Sequence, residues 1–436
     1  SSPISNLPPE LLSLIIVFAR SSKRVPHRIP YEVSTSHVSR LWREITMGMP
    51  FLWTKIDMFS THSKSWVSAY IERSGQLPLD FNIDIYRSEK LYRRGGQSKQ
   101  QAWPLISDVV QVLHRVRSMN ILCYRQNTAV MLQNFFTDRP TPLLESFKIQ
   151  HGTSFSAINA SMGLKAFVFN QATPCLTTFV TDTPNILPRS DKLRSLETLY
   201  WHGLDPKLAI NANNFQHTLS SVTSLVHLSL QGTVAFGFWP TGMPAGPQFT
   251  LPNLKALRCL DGGGTAIRTL LAISAPKLES IWLECSFDNF PAHFFGAPQM
   301  NVLGHPKFPA LKFLTLHFEA FPFSEQFAKV FPTVSHVHYF HVNLRQSDKL
   351  AQAMKVLWTS VNTLVFSRFR ERDAEKLTTA LSQIILTRAL GVNPMQAILL
   401  DEDHLRFIRK CHTNSARDVQ LLAKVLSRDN YAEPWW

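Results

Sequence analysis

A short phrase of apolar positions recurs through most of the chain and predicts its architecture. The phrase has apolar residues at its first, fourth and sixth positions, as in Leu225, Leu228 and Leu230. It recurs every twenty to thirty-odd residues, beginning at Val116, Leu144, Leu176, Leu196, Leu225, Leu254, Leu278, Leu311, Val334 and Val361. Because a period of this length is typical of proteins built from stacked units, we expect a solenoid over about residues 110 to 370.

Prolines and helix-like stretches complete each expected unit. In six phrases a proline stands two positions before the first apolar residue, at Pro142, Pro174, Pro252, Pro276, Pro309 and Pro332. Proline cannot donate to a strand ladder, so the repeated offset predicts the same bend at each strand entry. Residues 265 to 274, 323 to 331 and 347 to 361 have helical character. This alternation resembles irregular leucine-rich repeats, which implies an α/β solenoid with a parallel sheet on its concave side and helices and loops on its convex side.

The segments that flank the expected repeats have patterns of their own. Residues 63 to 74 predict a helix, residues 77 to 85 alternate as a strand with one buried face, and residues 87 to 101 predict an exposed loop. After the repeats we expect a helix over 371 to 386, a strand over 396 to 400, and helices over 403 to 410 and 416 to 426. A repeat array needs a terminal cap, and this last segment is placed to form one. The role of Trp435 and Trp436 stays open.

The first fifty-odd residues predict a small helical block with more apolar surface than it can bury. Pro8, Pro9 and Glu10 favour a helix start, and the helix is expected to run to about Ala19. Its two apolar stripes are Leu11, Ile15 and Phe18, and Leu12, Ile16 and Ala19. A second helix, which residues 34 to 36 would cap, carries Val38, Leu41, Trp42 and Ile45 at helical spacing, and Phe51, Leu52 and Trp53 follow it. So short a block must dock onto something.

This block resembles the F-box. The resemblance is carried by Leu7-Pro8-Pro9-Glu10-Leu11-Leu12, by Val38-Ser39-Arg40-Leu41-Trp42-Arg43 and by Leu52-Trp53. Two features depart from the family pattern: Ser39 stands where the family usually has cysteine, and the link over residues 21 to 31 is long and basic. The resemblance implies docking to the Skp adaptor, and through it to the cullin, of a cullin-RING ubiquitin ligase. Adaptor contacts are then expected at Leu7, Pro8, Leu11, Ile15, Val38 and Trp42. The alternative is a helical cap packed on its own chain.

With this resemblance, four segments are expected. They are an F-box over residues 1 to 58, a linker helix, first strand and exposed loop over 59 to 110, the leucine-rich-repeat-like solenoid over 111 to 370, and a carboxy-terminal helical cap over 371 to 436.

Composition predicts a globular, intracellular chain. Hydrophobic residues make up 44% of it and charged residues 17%, which suits a large core. We find no apolar run long enough to span a bilayer, and Ser1-Ser2-Pro3-Ile4 lacks the basic region of a secretory signal. We therefore expect a cytoplasmic or nuclear protein without membrane contact. The five cysteines are scattered, which argues against zinc and against a disulfide framework.

The net charge of +14 raises an alternative function, a basic repeat scaffold that binds nucleic acid or an acidic protein without a ubiquitin ligase role. The basic residues are dispersed, however, and the densest group is Arg368, Arg370 and Arg372. A solvated face is the preferred interpretation of that group, so nucleic acid is an unlikely partner.

Residues for catalysis are not evident. Gly262-Gly263-Gly264-Thr265 lacks the lysine of a phosphate-binding loop. His336 and His338 share a strand face while His341 points to the other, which makes a poor metal site. Cys123, Cys259 and Cys285 fall on the side of buried leucines. We therefore expect no enzyme activity, no cofactor and no metal.

The strand alternation also predicts a target-binding face. In each phrase the residues that flank the later apolar positions point away from the core, and repeat proteins bind partners on that face. Aromatic and arginine side chains, which dominate binding hot spots, cluster on the later strands. The predicted target-binding residues are Tyr200, His202, His227, Arg258, Trp282, Glu284, Phe313, His317, His336, His338 and Phe340. The alternative is that loops or the cap cover them.

Overall fold

The computed structural model describes most of the regular elements of the chain. The described residues are 7–20, 29–59, 64–85, 102–123, 136, 139–151, 167–168, 173–182, 187–188, 193–203, 210–232, 235–236, 249–260, 269–270, 272–284, 307–317, 331–340, 360–367, 374–389, 394–400, 402, 405–406, 408, 419 and 423–425. The chain divides into two compact units. Unit 1 comprises Ser1–Thr153 and Lys165–Thr178, and unit 2 comprises Ser154–Leu164 and Phe179–Trp436.

Unit 1 begins with short helices. They are α1 (Pro9–Ala19), α2 (Tyr31–Ser36), α3 (Arg40–Met47) and a 3-10 turn over Pro50–Trp53, followed by α4 (Lys64–Arg73), α5 (Ala102–Gln111) and a second 3-10 turn over Leu113–Arg115. Helix α1 starts as predicted, with Pro9 in its first turn and the Pro8 carbonyl accepting from the Leu12 amide at 3.1 Å.

The predicted capping of the second helix is wrong. Residues 34 to 36 lie inside α2, where the Thr35 hydroxyl donates to the Tyr31 carbonyl at 2.7 Å and the Ser36 hydroxyl to the Val33 carbonyl at 2.8 Å. The chain breaks after them, and extended Ser39 caps α3 by accepting from the Trp42 amide at 3.3 Å. Hydroxyls can bond backward to carbonyls inside a helix as well as forward at its cap, so their presence alone does not fix the helix start.

Parallel strands form the rest of unit 1. They are β1 (Lys55–Phe59), β2 (Leu79–Asp84), β3 (Val116–Cys123) and β4 (Ser146–His151), paired in that order, with the short β5 (Phe167–Val168) elsewhere in the unit. The predicted alternation of the second strand is confirmed, since Leu79, Phe81 and Ile83 are buried while Asp80 and Asn82 are partly exposed. A further strand, β6 (Thr178–Thr181), lies at the boundary of the two units.

Unit 2 is built on a longer run of parallel strands. The paired strands are β8 (Thr198–Gly203), β10 (His227–Gly232), β13 (Ala256–Leu260), β15 (Ser280–Glu284), β16 (Phe313–His317), β17 (His336–Phe340), β18 (Thr363–Ser367), β19 (Ala397–Leu400) and β20 (Ala423–Val425). The short strands are β7 (Leu187–Pro188), β9 (Ile210–Asn211), β11 (Ala235–Phe236), β12 (Phe249–Thr250) and β14 (Ile273–Ser274), and the helices are α6 (Ala212–Ser221) and α7 (Ala374–Ala389). The α/β class with a large parallel sheet is confirmed.

The repeated phrase accounts for this regularity. Its fourth position lies in one register row of fully buried residues, Leu228, Leu257, Ile281, Leu314 and Val337. The prolines occupy the bend that the sequence predicts. The Leu254, Leu278 and Leu311 amides each donate three residues back, at 3.1 to 3.3 Å, which places proline second in the turn. Proline's fixed φ angle suits that turn position, so each strand begins after the same turn.

Two helices expected along unit 2 need correction, and other expectations fall on residues that the structure does not describe. The expected helix over 416 to 426 is wrong at its end, because Ala423–Val425 forms strand β20 beside β19. The expected helix over 265 to 274 is also wrong at its end, because Ile273–Ser274 pairs with Phe249–Thr250. In both places pairing with a neighbouring strand outweighs local helix propensity. Residues 262 to 265, 341, 347 to 359, 368, 370, 372, 435 and 436 lie outside the described residues.

An aromatic cluster joins the first helices to α4 within unit 1. Trp53 is fully buried, and its indole nitrogen donates to the Thr46 carbonyl at 3.1 Å. The Trp53 ring meets the Tyr70 ring edge-on at 5.0 Å, and the Arg73 guanidinium lies 4.5 Å over it. The Tyr70 hydroxyl donates to buried Glu32 at 2.6 Å. These contacts pack α2, α4 and the 3-10 turn over Pro50–Trp53 together within unit 1.

We predict that Tyr70→Phe destabilises unit 1 because it removes a hydrogen bond at a buried carboxylate. Such a loss costs about 1–3 kcal/mol. Urea unfolding and hydrogen exchange of the α2 to α4 amides would measure it. The control is Ser68→Ala on the exposed side of the same helix, expected within about 0.5 kcal/mol of the unmodified chain. Equal stability of the two variants would contradict the role given to the Tyr70 bond.

Candidate binding surfaces

Helix α1 exposes one apolar stripe while it buries the opposite one. Leu12 and Ile16 are fully buried. Leu11, Leu14, Ile15 and Phe18 follow the spacing of a single helix face and are 47%, 52%, 40% and 74% exposed. The two stripes predicted from the sequence are thus present, although Ala19 is exposed and Leu14 belongs to the outer face.

Exposed apolar side chains concentrate in the helical block, by which we mean residues 7 to 53. Nine of the twelve exposed large apolar residues of the described chain lie in it. These nine are Leu11, Leu14, Ile15, Val17, Phe18, Ile29, Val38, Met47 and Phe51. Scattered exposed apolar residues are ordinary, whereas such a concentration makes the helical block a candidate binding surface.

The predicted adaptor-binding residues all lie in this block with some surface open to solvent. Pro8, Leu11, Ile15 and Val38 are exposed, while Leu7 and Trp42 are half-buried. Val38 stands 60% exposed in the break between α2 and α3. That break is held by the Arg43 side chain, which donates to the Ser36 carbonyl at 3.1 Å, and by the Ser39 cap.

The structure adds exposed apolar residues that the sequence analysis did not assign to the surface. Leu14, Ile29, Met47 and Phe51 are in this group. The signal for Leu14 was available, because a helix that is apolar nearly all round has more than one face to cover. For Ile29 and Met47 no periodic pattern distinguishes a covered from an uncovered position.

The eleven predicted target-binding residues lie on one face of the unit 2 sheet. Three register rows run across β8, β10, β13, β15, β16 and β17 on the face opposite the buried leucines. The first row is Thr198, His227, Ala256, Ser280, Phe313 and His336; the second is Tyr200, Ser229, Arg258, Trp282, Thr315 and His338; the third is His202, Gln231, Leu260, Glu284, His317 and Phe340. We call this face the outward face.

Rings and one guanidinium contact each other along the outward face. The Arg258 guanidinium lies 4.4 Å from the centre of the Trp282 ring, on the adjacent strand in direct register. The Phe313 and His336 rings are 4.7 Å apart on the next strands. All four side chains are half-buried, so each presents part of its surface to solvent. Half-buried aromatic and arginine side chains of this kind can anchor a protein partner.

His338 is a correction to the predicted face. It is 4% exposed, and its Nε2 lies 2.8 Å from the Ser367 hydroxyl. The neighbouring strand β18 is buried on both sides, with Val365 at 0% exposure. Alternation assigns a side chain to a face but does not tell whether that face is covered, so His338 is a structural residue here.

Burial lowers the pKa of three histidines on the outward face. It lowers the pKa of His202 to about 4, with the charge of Arg258 adding to the effect. Burial also lowers the pKa of His227, helped by Lys255 and opposed by Glu197, and that of His336. His202, His227 and His336 therefore add little positive charge to the face near pH 7.

In contrast to the outward face of unit 2, the unit 1 sheet has one face lined by polar side chains from strands β1 to β3. The Asn82 amide donates to Asp57 at 3.3 Å, and the Asn120 amide donates to Asn82 at 2.9 Å. Arg117 pairs with Asp80 at 2.7 Å. These side chains satisfy one another across strands β1 to β3, so the surface has little that a partner would need to cover.

The cysteines of the described chain provide no candidate site. Cys123 and Cys259 are buried as predicted and Cys175 is exposed, while Cys285 and Cys411 lie outside the described residues. No helix in the described part of the chain combines the length and apolar character needed to cross a bilayer.

Comparison with known proteins adds no relative. No protein-family model matches the chain, and no curated protein matches it. What the described residues define is an α/β protein with a large parallel sheet and an amino-terminal helical block rich in exposed apolar residues.

We predict that unit 2 loses stability as the pH falls from 7 to 5, because His202 has a folded pKa of about 4. Its unfolded pKa is about 6.5, so the unfolded chain binds more protons in this window and His202 accounts for about 2 kcal/mol at most. Urea unfolding at both pH values would measure the loss. His202→Asn should reduce it, and an unchanged loss in that variant would contradict the assignment.

Proposed function

We propose that the chain is the substrate-recognition subunit of an SCF-type ubiquitin ligase. In this proposal the helical block binds the Skp adaptor and through it the cullin, and the outward face of unit 2 binds a target protein. The observation that carries the proposal is the set of exposed apolar residues, Leu11, Ile15 and Val38 among them, within a block that has F-box motif spacing.

The exposed stripe of α1 has the energetic character of a docking surface. Fully burying a leucine, isoleucine or phenylalanine side chain is worth roughly 1.5–3 kcal/mol. Leu11 and Ile15 are 47% and 40% exposed and Phe18 is 74% exposed, so much of that surface is still open to solvent. Leu11, Ile15 and Phe18 would therefore contribute several kcal/mol on docking, which can offset the cost of association. The opposite stripe, Leu12 and Ile16, holds the helix on its own unit.

The chain itself catalyses nothing in this proposal. A receptor contributes by holding a target lysine near a ubiquitin-charged enzyme, and such positioning alone lowers the barrier of a bimolecular step. The Trp53 and Tyr70 cluster supports this role, because it fixes the adaptor-binding helices to α4.

We predict that the double variant Leu11→Ala with Ile15→Ala binds the Skp adaptor about a hundredfold more weakly. Each truncation removes roughly 1.5 kcal/mol of apolar contact, and 1.4 kcal/mol is tenfold in affinity. Calorimetry with purified adaptor would measure it. Leu143→Ala is the matched control, since Leu143 is 41% exposed but lies outside the helical block. Binding at the unmodified level by the double variant would refute adaptor docking through α1.

The second arm of the test concerns the target. We expect Trp282→Ala to reduce target capture in affinity purification with mass spectrometry by about thirtyfold, because hot-spot truncations cost about 2 kcal/mol or more and 1.4 kcal/mol is tenfold. The adaptor should remain bound, and Ser146→Ala should change neither. Undiminished targets with Trp282→Ala would move the target site elsewhere. Salt-sensitive binding to unspecific DNA, without adaptor binding, would favour the basic scaffold.

A further inference from the structure

The break between α2 and α3 has little burial to hold its conformation. It comprises residues 37 to 39, and these residues and Arg40 after them are all exposed. Val38, at the centre of the break, is 60% exposed. A segment keeps one conformation only where its contacts outweigh the entropy that is lost in ordering it. Because apolar burial contributes little here, hydrogen bonds have to fix the break.

Arg43 bonds to the chain on both sides of Val38. Its side-chain Nε donates at 3.1 Å to the carbonyl of Ser36, the last residue of α2. Its backbone amide donates to the Ser39 carbonyl at 3.0 Å. Ser36 and Ser39 border the two residues between them, of which Val38 is one. A single residue of α3 therefore holds both ends of the segment that presents Val38 to solvent.

Other hydrogen bonds near the break stay on one side of it. The Val38 amide donates back into α2, to the Thr35 carbonyl at 3.2 Å. The Ser39 hydroxyl accepts from the Trp42 amide within α3 at 3.3 Å. The Arg43 side chain differs, because it crosses from α3 to α2. Its charged donor also makes a stronger bond than a neutral one. The placement of Val38 relative to α3 therefore depends on the bond from Arg43.

We infer that Arg43 is a positioning residue for docking on the helical block, because its bond to Ser36 holds Val38 in the exposed position where the partner meets it. The inference rests on the proposed function for the identity of the partner as the Skp adaptor. Without the Arg43 bond, the break would be ordered only when the adaptor binds. The entropy lost in ordering it would then weaken the binding.

A direct contact between Arg43 and the adaptor is the competing role, since Arg43 is itself exposed. The two roles differ in how the effects of Arg43 and Val38 combine. A direct contact contributes to binding independently of Val38, so the two losses add. A positioning residue acts through Val38, so the loss of either residue reduces the effect of losing the other.

The test is a double-mutant cycle in the full chain, with the affinity for purified Skp adaptor measured by calorimetry. Arg43→Met keeps most of the aliphatic stem and removes the donor. We expect Arg43→Met to weaken adaptor binding about tenfold, because the break must then be ordered on binding. Val38→Ala should weaken binding about tenfold in the unmodified chain and less than about threefold in Arg43→Met, because the two residues act together.

Arg40→Met is the matched control, because it removes the same charge from the same helix. Arg40 pairs with Glu44 at 3.0 Å, and the two side chains are 92% and 61% exposed. A pair this exposed contributes little, so we expect Arg40→Met to bind the adaptor within about twofold of the unmodified chain. A loss equal to that of Arg43→Met would mean that the charge alone matters, and it would overturn the inference.

Hydrogen exchange in the free chain gives a readout that does not need the adaptor. Arg43→Met should speed exchange of the Val38 amide about tenfold while the α4 amides keep their rates, because only the break opens. Additive losses in the cycle, or unchanged exchange at Val38, would overturn the inference and leave the proposed function in place. An unmodified chain that does not bind the adaptor would overturn the proposed function and the inference with it.

Discussion

Parallel register is the constraint on which both the core and the outward face of unit 2 depend. Leu228, Leu257 and Ile281 lie in one fully buried row, and Ser229, Arg258 and Trp282 lie in the next. A slip of one residue in any strand would exchange the two rows, placing leucine in solvent and arginine in the core. The apolar row therefore fixes the positions of the side chains on the opposite face. The stacking of Arg258 on Trp282 is a consequence of how the core packs.

The two surfaces of unit 1 differ in what they leave unsatisfied. On its sheet face, Asp57, Asn82 and Asn120 form a continuous hydrogen-bonded series across three strands. The helical block differs, because apolar side chains such as Leu11 and Phe18 cannot pair through hydrogen bonds and are shielded from water only by other apolar groups. An exposed stripe of this size carries a cost in water, and a protein retains it where a partner covers it.

The sequence predicted the strands and turns that recur in each repeat, and it missed structural features that occur only once in the chain. The phrase located β3, β4, β6, β8, β10, β13, β15, β16, β17 and β18, because each unit repeats the same burial pattern. The proline offset located the turns before six of these strands. The break before Ser39 was missed, since hydroxyls at 34 to 36 serve equally well inside a helix as at its start. Strand β20 was missed because it forms by pairing with β19, and the apolar spacing of residues 416 to 426 taken alone is that of a helix.

The candidate site shows the same division. Alternation placed all eleven predicted residues on one face, because it depends only on the two-residue period of a strand. It could not show that His338 is covered while Arg258 is half-exposed, since coverage depends on what packs over the face. Nor could it show that Arg258 stacks on Trp282, which needs the register of β13 against β15.

The distribution of charge at the strand entries bears on the kind of partner. The residue after the first apolar position of each phrase bonds to its counterpart in the preceding strand. The Glu279 amide donates to the Lys255 carbonyl at 2.8 Å, and the Lys312 amide to the Glu279 carbonyl at 2.9 Å. The side chains of Lys255, Glu279 and Lys312 thus alternate in sign across three neighbouring strands. The fields of neighbouring opposite charges oppose each other, and salt screens what remains beyond about 8 Å. Nucleic acid binding draws on a continuous positive stripe. At this edge of the described sheet, the basic residues that contribute to the net charge of +14 do not form such a stripe. The outward face beside it, with aromatic side chains, one arginine and one glutamate, has a composition closer to that of a protein-binding surface.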